Sequence, residues 1–356
     1  MRLLICAGGT GGGVYPALTV TEKLDKNQHQ VLWVGSKGGM EADLVTRTGL
    51  EFRAIQAAGV HGVSLTKLPN NLAKLVQGIQ QSKQILEEFQ PDVLFFTGGY
   101  VAIPMALAGR KLKSLLYVPD IEPGLALKTL ARFSDHIALT TSESKKWFSE
   151  KTNMTVTGYP LRDDIKKWAK SEAREYFKLE SDLPTILFMG GSSGARSINL
   201  AVLAILDQLL EKYQVIHLTG HLDWEAVQSA TVNANDRYHP FPYLHEIGAA
   251  MAAADLAVSR AGASTLGEYP YFGLPAILVP YPYAWRYQKV NADYLVERGA
   301  AVLLRDEDLK SDLHTIINDL LVNPAYLAHM SRSMSALSQP MAAERITELL
   351  YEMTEA

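Results

Sequence analysis

Two α/β lobes, each with a parallel sheet covered by helices on both faces, are the fold class this sequence predicts. Three observations carry the prediction. The chain has 356 residues, too many for one comfortable core and enough for two domains of roughly 150 residues each. Apolar runs of strand length alternate with helical patterns, as parallel strands buried on both faces require. Finally, the strand, glycine loop and helix that open the chain recur near its middle.

The first apolar run, 3–7, enters Gly8-Gly9-Thr10-Gly11-Gly12-Gly13; Ala17, Val20, Thr21 and Leu24 then keep helical spacing, with Pro16 suited to a first turn. Further strands are expected at 31–34, 93–96 and 115–118. Gly158-Tyr159-Pro160-Leu161-Arg162 supplies the turn residues of a linker. A second series starts after Pro184 with a strand over 185–189, a second glycine-rich loop, and a helix carrying Ile198, Leu200 and Val202. It continues with strands at 215–218, 256–258 and 276–279, and helical periodicity over 341–353 predicts a last helix returning to the first lobe. The expected domains are 1–160 and 161–340, with a cleft between them, and a C-terminal helix over 341–356.

Hydrophobic residues make up 47% of the chain and charged residues 20%, the balance of an ordinary folded protein. With 34 basic and 38 acidic residues the formal charge is -4, which argues against a general nucleic-acid binder. Cys6 is the one cysteine and lies in an apolar run, so no internal disulfide or cysteine metal site can form, and a buried strand position is expected for it. The N-terminus enters its first strand at once, which leaves no room for a signal peptide. No apolar run approaches the ~18 residues that span a bilayer. The expectation is a cytoplasmic protein.

Five glycines in six positions let backbone N–H groups approach an anion without side-chain obstruction, and a following helix N-terminus adds partial positive charge. Close strand–helix packing would use glycine as well. The loop is no dinucleotide fingerprint, because Gly9-x-Gly11-x-x-Val14 lacks the final Gly or Ala. The second loop, Gly190-Gly191-Ser192-Ser193-Gly194-Ala195-Arg196, adds hydroxyls and a guanidinium: Ser192 can donate to a phosphate oxygen, and Ser192 or Ser193 can cap the helix. After the strand at 256–258 come Arg260, Gly262, Ala263, Thr265 and Glu268. Thr265 and Glu268 have capping-box spacing, while a carboxylate one turn into a helix can also accept both hydroxyls of a ribose. Gln288 and Asn291, three apart on a predicted helix, present amides suited to sugar hydroxyls.

These segments, in this order, resemble the MurG family of peptidoglycan glycosyltransferases. The likeness rests on the first glycine loop, on Met40-Glu41-Ala42-Asp43-Leu44-Val45 and on Gly98-Gly99-Tyr100. In the second half it rests on the second loop, Arg260-x-Gly262-Ala263, Glu268, Gly273-Leu274-Pro275-Ala276, and Gln288 with Asn291-Ala292. It covers nearly the whole chain. The resemblance implies a GT-B architecture and inverting, metal-independent, cofactor-free transfer of N-acetylglucosamine from UDP-N-acetylglucosamine to lipid I, the undecaprenyl-linked muramyl-pentapeptide, forming lipid II at the cytoplasmic face of the membrane. Arg162 and Ser192 would then meet the donor nucleotide and its phosphates, Leu244 the uracil, Glu268 the ribose and Gln288 the transferred sugar. Thr10, Gly11, Gly12 and Gly13 would face the acceptor pyrophosphate. Three departures stand out: Gly13 replaces the family's histidine, Tyr117-Val118-Pro119-Asp120 replaces its His-Glu-Gln-Asn segment, and Tyr287 replaces the first of two adjacent glutamines.

Inverting transfer needs a base at the acceptor hydroxyl. Asp120, after the strand at 115–118, is the chosen candidate, and a cap or turn is its alternative role; Glu122 and His61 stand behind it. For a membrane-surface acceptor, Leu72, Leu75, Val76 and Ile79 keep helical spacing near Lys67, Lys74 and Lys83, with a second basic group at Arg110, Lys111 and Lys113. Such a helix can equally pack on its own sheet. Two other readings stay open: a UDP-sugar transferase acting on diacylglycerol or another lipid, and a nucleotide-sugar-binding protein without turnover.

Overall fold

The structure is a computed structural model and describes the chain except Gly9, Thr10, Lys26, Met40, residues 60–65, Lys67, Ser192, Ser193 and Ala356. It divides into two compact units, Met1–Leu161 with Pro340–Ala356, and Arg162–Gln339. Each is an α/β lobe of the GT-B class.

The first unit carries β1 (Arg2–Ala7), β2 (Gln30–Ser36), β3 (Glu51–Ile55), β4 (Val93–Gly98), β5 (Lys113–Val118), β6 (His136–Leu139) and β7 (Asn153–Val156). All pair in parallel in the order β3-β2-β1-β4-β5-β6-β7. The register sets Leu4 beside Leu32 on one flank and beside Leu94 on the other. These three side chains, with Cys6, Val34, Phe96 and Met105, belong to one buried cluster. Burial, reinforced by the Glu41 carboxylate, pushes the Cys6 thiol far up, so it stays protonated and inert.

The second unit carries β8 (Thr185–Met189), β9 (Gln214–Leu218), β10 (Tyr238–Phe241), β11 (Leu256–Ser259), β12 (Ala276–Leu278) and β13 (Ala301–Leu303). They too are parallel, in the order β10-β9-β8-β11-β12-β13. Its core gathers Ile186, Phe188, Ile198, Val202, Val215, Leu256 and Leu313.

Two helical expectations change. The first helix, Gly11–Thr21, begins inside the glycine run, so Gly11, Gly12 and Gly13 form its first turn and Pro16 lies in its second. In the helix Arg196–Leu210, Ile198 and Val202 are buried but Leu200 is 57% exposed. At 3.6 residues per turn a residue two positions away points to the opposite face.

The strands missed from sequence, β3, β6, β7, β10 and β13, are short; all but β6 are edge strands, and β6 pairs with the edge strand β7. Edge strands tolerate residues a central strand excludes, such as the charged Glu51 and Arg53 in β3 and Pro240, which lacks a ladder N–H, in β10. The last helix, Ala342–Glu355, packs on the first unit, with Ile346 and Leu350 fully buried. Glu344 pairs with Lys23 at 3.1 Å, and the Tyr351 hydroxyl meets His29 Nε2 at 3.1 Å.

Candidate active site

In a parallel sheet the crevice for a ligand opens at the carboxyl ends of the strands, where the strand order reverses and neighbouring loops diverge. In the first sheet that point lies between β1 and β4, and in the second between β8 and β11. The glycine segments sit at these two points. Residues 8–13 follow β1 and Gly98-Gly99-Tyr100 closes β4; residues 190–196 follow β8 and residues 260–268 follow β11.

In the first unit Gly8 is the meeting place. A side chain on Gly99, which holds φ +85°, would come within 2.5 Å of the Gly8 carbonyl oxygen. A methyl group on Gly8 would overlap the Glu41 carboxylate. Glu41 is fully buried at the start of the helix Glu41–Thr46, and its Oε1 accepts from the Ser36 N–H at 2.7 Å and from Ser36 Oγ at 2.6 Å. The Trp33 indole donates to the Ala7 carbonyl at 3.0 Å and fixes the last residue before the loop. Gly11, Gly12 and Gly13 present first-turn N–H groups, which have no partner within their helix and favour an anion. Gly13 is itself buried: its carbonyl accepts from Thr97 Oγ1 at 2.5 Å, and an added Cβ would stand 3.3 Å from the Thr97 carbonyl oxygen. Thr10 and His61 lie outside the described residues.

Asp120 follows β5, the neighbour of β4, and is half-buried. The rewritten segment before it is core. Tyr117 is fully buried, with its hydroxyl 2.7 Å from Thr140 Oγ1 and donating to the Gly158 carbonyl at 3.3 Å. Burial above all, then Tyr159 and Asp120, raises its phenol well above the ordinary range, so Tyr117 serves as a neutral strut. Glu122 is buried and receives Lys128 Nζ at 3.3 Å, while that ammonium also lies 4.4 Å from the Trp147 ring centre. This arrangement explains Glu122 as an anchored ion-pair partner.

In the second unit the structure pins together the segments that bear Arg162, Leu244 and Glu268. Arg162 precedes the short helix Asp163–Lys166, whose Lys166 carbonyl accepts from the Tyr271 hydroxyl at 3.1 Å; Tyr271 belongs to the helix Thr265–Phe272 that carries Glu268. Lys167 and Trp168 both reach Glu246, at 2.9 and 3.2 Å, two residues beyond Leu244. The Gly248 backbone lies directly on Ile165, where no side chain would fit. Arg162 is near enough for its charge to act on Glu268. Burial pushes the Glu268 carboxyl up, while a hydrogen bond from Ser264 and the Arg162 charge pull it down.

Glu268 does not form the capping box its spacing suggested. The helix begins at Thr265, whose hydroxyl donates to the Gly262 carbonyl at 2.7 Å, and Ser264 meets the carboxylate instead. Open space lies around Gly191 and Gly262, where nothing stands within 4 Å of an added Cβ. Gln288 and Asn291 share the helix Trp285–Val296 but divide their roles: Gln288 Oε1 accepts from the Tyr281 N–H at 2.8 Å, whereas buried Asn291 donates to the Ala261 carbonyl at 3.2 Å. Ser192 lies outside the described residues.

Two clusters behind these loops join residues that the sequence reading did not connect, Arg260 with its partners and His217 with its own. Arg260 donates to Asp306 Oδ1, to Ser197 Oγ at 2.8 Å and to the Val279 carbonyl at 3.2 Å, bracing the ends of β11 and β12 and the helix after the second loop. In the other cluster His217 links Tyr238 at 2.8 Å to Asn199 at 3.0 Å, and Asn199 donates to the Thr219 carbonyl at 2.8 Å. The signal was present, since a histidine inside an apolar strand has to find polar partners. Among the described residues no group of three or more His, Cys, Asp or Glu side chains is placed to hold a metal ion, and no helix is long and apolar enough to cross a membrane.

Two parallel-sheet lobes with glycine-lined crevices at their switch points define a GT-B protein, and comparison with known sequences and structures narrows the class. Residues 3–139 match the glycosyltransferase family 28 N-terminal domain and residues 185–346 its C-terminal domain. A relative from Desulforamulus reducens, the UDP-N-acetylglucosamine--N-acetylmuramyl-(pentapeptide) pyrophosphoryl-undecaprenol N-acetylglucosamine transferase, is 38% identical, with 99% of each chain covered. The crystal structure of Acinetobacter baumannii MurG superposes with a TM-score of 0.80 at 26% identity over 99% of each chain. A putative UDP-N-acetylglucosamine 2-epimerase from Listeria monocytogenes, at 14% identity and TM-score 0.71, covers 98% of this chain and 95% of its own and shares the fold alone. The chain belongs to the MurG family of glycosyltransferases.

Proposed function

We propose that this protein transfers N-acetylglucosamine from UDP-N-acetylglucosamine to lipid I, giving lipid II, at the inner face of the cell membrane. The observation that carries the donor side is the joined cluster in the second unit: the segments of Arg162, Leu244 and Glu268 are tied to one another beside the open backbone of Gly262. In this reading Leu244 supplies an apolar wall for the base, Glu268 accepts the ribose hydroxyls, and Arg162 with Ser192 faces the diphosphate. Gln288 meets the sugar. The first-turn N–H groups of Gly11, Gly12 and Gly13, with Thr10, hold the acceptor pyrophosphate.

Transfer is a single displacement. The acceptor hydroxyl oxygen attacks the anomeric carbon, the bond from that carbon to the diphosphate oxygen breaks, and UDP leaves with the electron pair. Asp120 takes the hydroxyl proton. Arg162 and oriented N–H groups stabilise the charge gathering on the departing diphosphate without a metal. The apolar face that rests on the membrane belongs to the helix Leu68–Phe89, where Leu72 and Val76 are exposed.

The test is acceptor profiling with purified protein and UDP-N-acetylglucosamine, offering lipid I and diacylglycerol in parallel, each with and without a chelator. Transfer to lipid I that persists in the chelator is expected. Transfer only to diacylglycerol would move the protein to another acceptor class, donor binding without transfer to either would make it a binding protein, and rescue by magnesium or manganese would overturn the metal-free step.

A further inference from the structure

The buried carboxylate of Glu41 in the first unit has no part in the chemistry above, yet it touches the loop that does. Gly8 is held from two sides: the Gly99 backbone lies against its carbonyl, and the Glu41 carboxylate fills the volume a Gly8 side chain would need. Glu41 also occupies the space beside Gly35 and Gly39, so the end of β2, the start of the helix Glu41–Thr46 and the end of β1 converge on one side chain. A fully buried carboxylate is costly unless its oxygens are hydrogen-bonded, and two donations from Ser36, at 2.7 and 2.6 Å, anchor Oε1 in place. An anchored group of this kind sets a backbone position, because protein interiors are close-packed and do not deform continuously.

We propose that Glu41 is a positioning residue for the acceptor half of the reaction: its carboxylate, clamping Gly8 against Gly99, sets where the first-turn N–H groups of Gly11, Gly12 and Gly13 stand. This rests on the acceptor reading of that loop given above. Glu41 acts through Gly8 and does not touch substrate.

Gly8 and Glu41 are a complementary pair, so the experiment is a double-mutant cycle of Gly8→Ala, Glu41→Ala and the two combined, with Glu41→Gln as the conservative variant. Two readouts are taken on the full-length protein: hydrogen exchange of the peptide spanning residues 8–14, and the separate KM values for lipid I and for UDP-N-acetylglucosamine. Each single alanine variant is expected to speed exchange of that peptide at least fivefold and to raise the acceptor KM about tenfold, with the donor KM within twofold of the native value. The combined variant should recover much of both losses, because removing the carboxylate vacates the space the new methyl group needs. Glu41→Gln, whose amide oxygen can still accept from Ser36, should stay close to native exchange. Additive losses without rescue, unchanged exchange in Glu41→Ala, or a donor KM that rises as much as the acceptor KM would each overturn the assignment. If the native protein transfers to no lipid acceptor, the functional reading fails on its own, and the exchange data still decide whether Glu41 clamps the loop.

Discussion

At position 13 a glycine stands where the family carries histidine, and the fold gives that glycine a tight berth. Its carbonyl accepts from Thr97 Oγ1, and a Cβ would press on the Thr97 carbonyl oxygen at 3.3 Å. Gly13→His is therefore expected to lower stability by about 1–3 kcal/mol, as overpacking does, and to leave turnover no higher than native. Asp120→Asn keeps the shape and removes the proposed base, so kcat should fall on the order of 10² to 10⁴-fold with donor affinity unchanged. Steady-state kinetics beside calorimetric binding of UDP-N-acetylglucosamine measure both, and full activity in Asp120→Asn would remove it from the mechanism. In the second unit Glu268→Ala should weaken UDP-sugar binding by about 1–3 kcal/mol through loss of a charged hydrogen-bond acceptor. Unchanged affinity in a folded variant would reduce Glu268 to the partner of Ser264. Which residues to examine was readable in the sequence, because glycines, carboxylates and amides at set spacings have few other uses. What each one touches was not: Glu41 lies 33 positions after Gly8, and no local pattern records that a glycine and a distant carboxylate share one volume.

At the scale of single elements, β9 carries a pH dependence. Burial drives the His217 imidazole down to about 3, far below its ordinary value, so it stays neutral in the folded protein. Below about pH 6.5 the unfolded chain binds a proton at this position that the folded chain refuses, so stability is complete above that pH and falls as pH drops towards 3, by ~1.4 kcal/mol per unit from this group alone. Thermal melts of native protein and His217→Gln between pH 7 and 4 should show the shallower loss in the variant; parallel curves would mean another group dominates. The helix Leu68–Phe89 makes a different prediction. Leu72 is 46% and Val76 56% exposed, whereas Leu75 and Ile79 are half-buried, so the apolar stripe divides between the protein and solvent. Leu86 and Gln90 line a cavity of about 400 Å³ with Arg110 and Lys111. That basic group thus sits roughly 20 Å along the helix axis from Leu72, at ~1.5 Å per residue. Leu72→Ser with Val76→Ser should reduce sedimentation with anionic vesicles several-fold at unchanged melting temperature, while Arg110→Ala with Lys111→Ala should not. The reverse pattern would move the membrane face to the other end of the helix.

The molecule as a whole is not divided at one point in the sequence. The first unit is completed by Pro340–Ala356, whose helix buries Ile346 and Leu350 and ties Glu344 to Lys23. Ending the chain after Gln339 is expected to cost the first unit more than 3 kcal/mol, since two fully buried aliphatic side chains are worth roughly 1.5–3 kcal/mol each. The second unit should keep its affinity for UDP. Hydrogen exchange resolved by peptide, with and without UDP, measures the two separately, and equal loosening of both units would show that the tail supports the whole chain.

The sequence by itself determined the class: apolar runs of strand length, two glycine loops and their order along the chain require two parallel α/β lobes, because periodicity and glycine reflect local backbone physics. It determined the longer central strands as well, since strands buried on both faces have to be apolar throughout; β6, four residues opening on His136, is the interior strand it left out. Tertiary structure alone decided the rest. The edge strands are short, three to five residues, and mostly not apolar throughout, so only pairing with a neighbour identifies them. The extension of the first helix into the glycine run, with Gly13 seated under Thr97 and Gly8 between Glu41 and Gly99, depends on β1, β2 and β4 being side by side. Likewise the joining of Arg162, Leu244 and Glu268 depends on helices far apart in sequence meeting through Lys166, Glu246 and Gly248. Contacts of this kind are set by the packing of surfaces, and a chain read one window at a time carries no term for them.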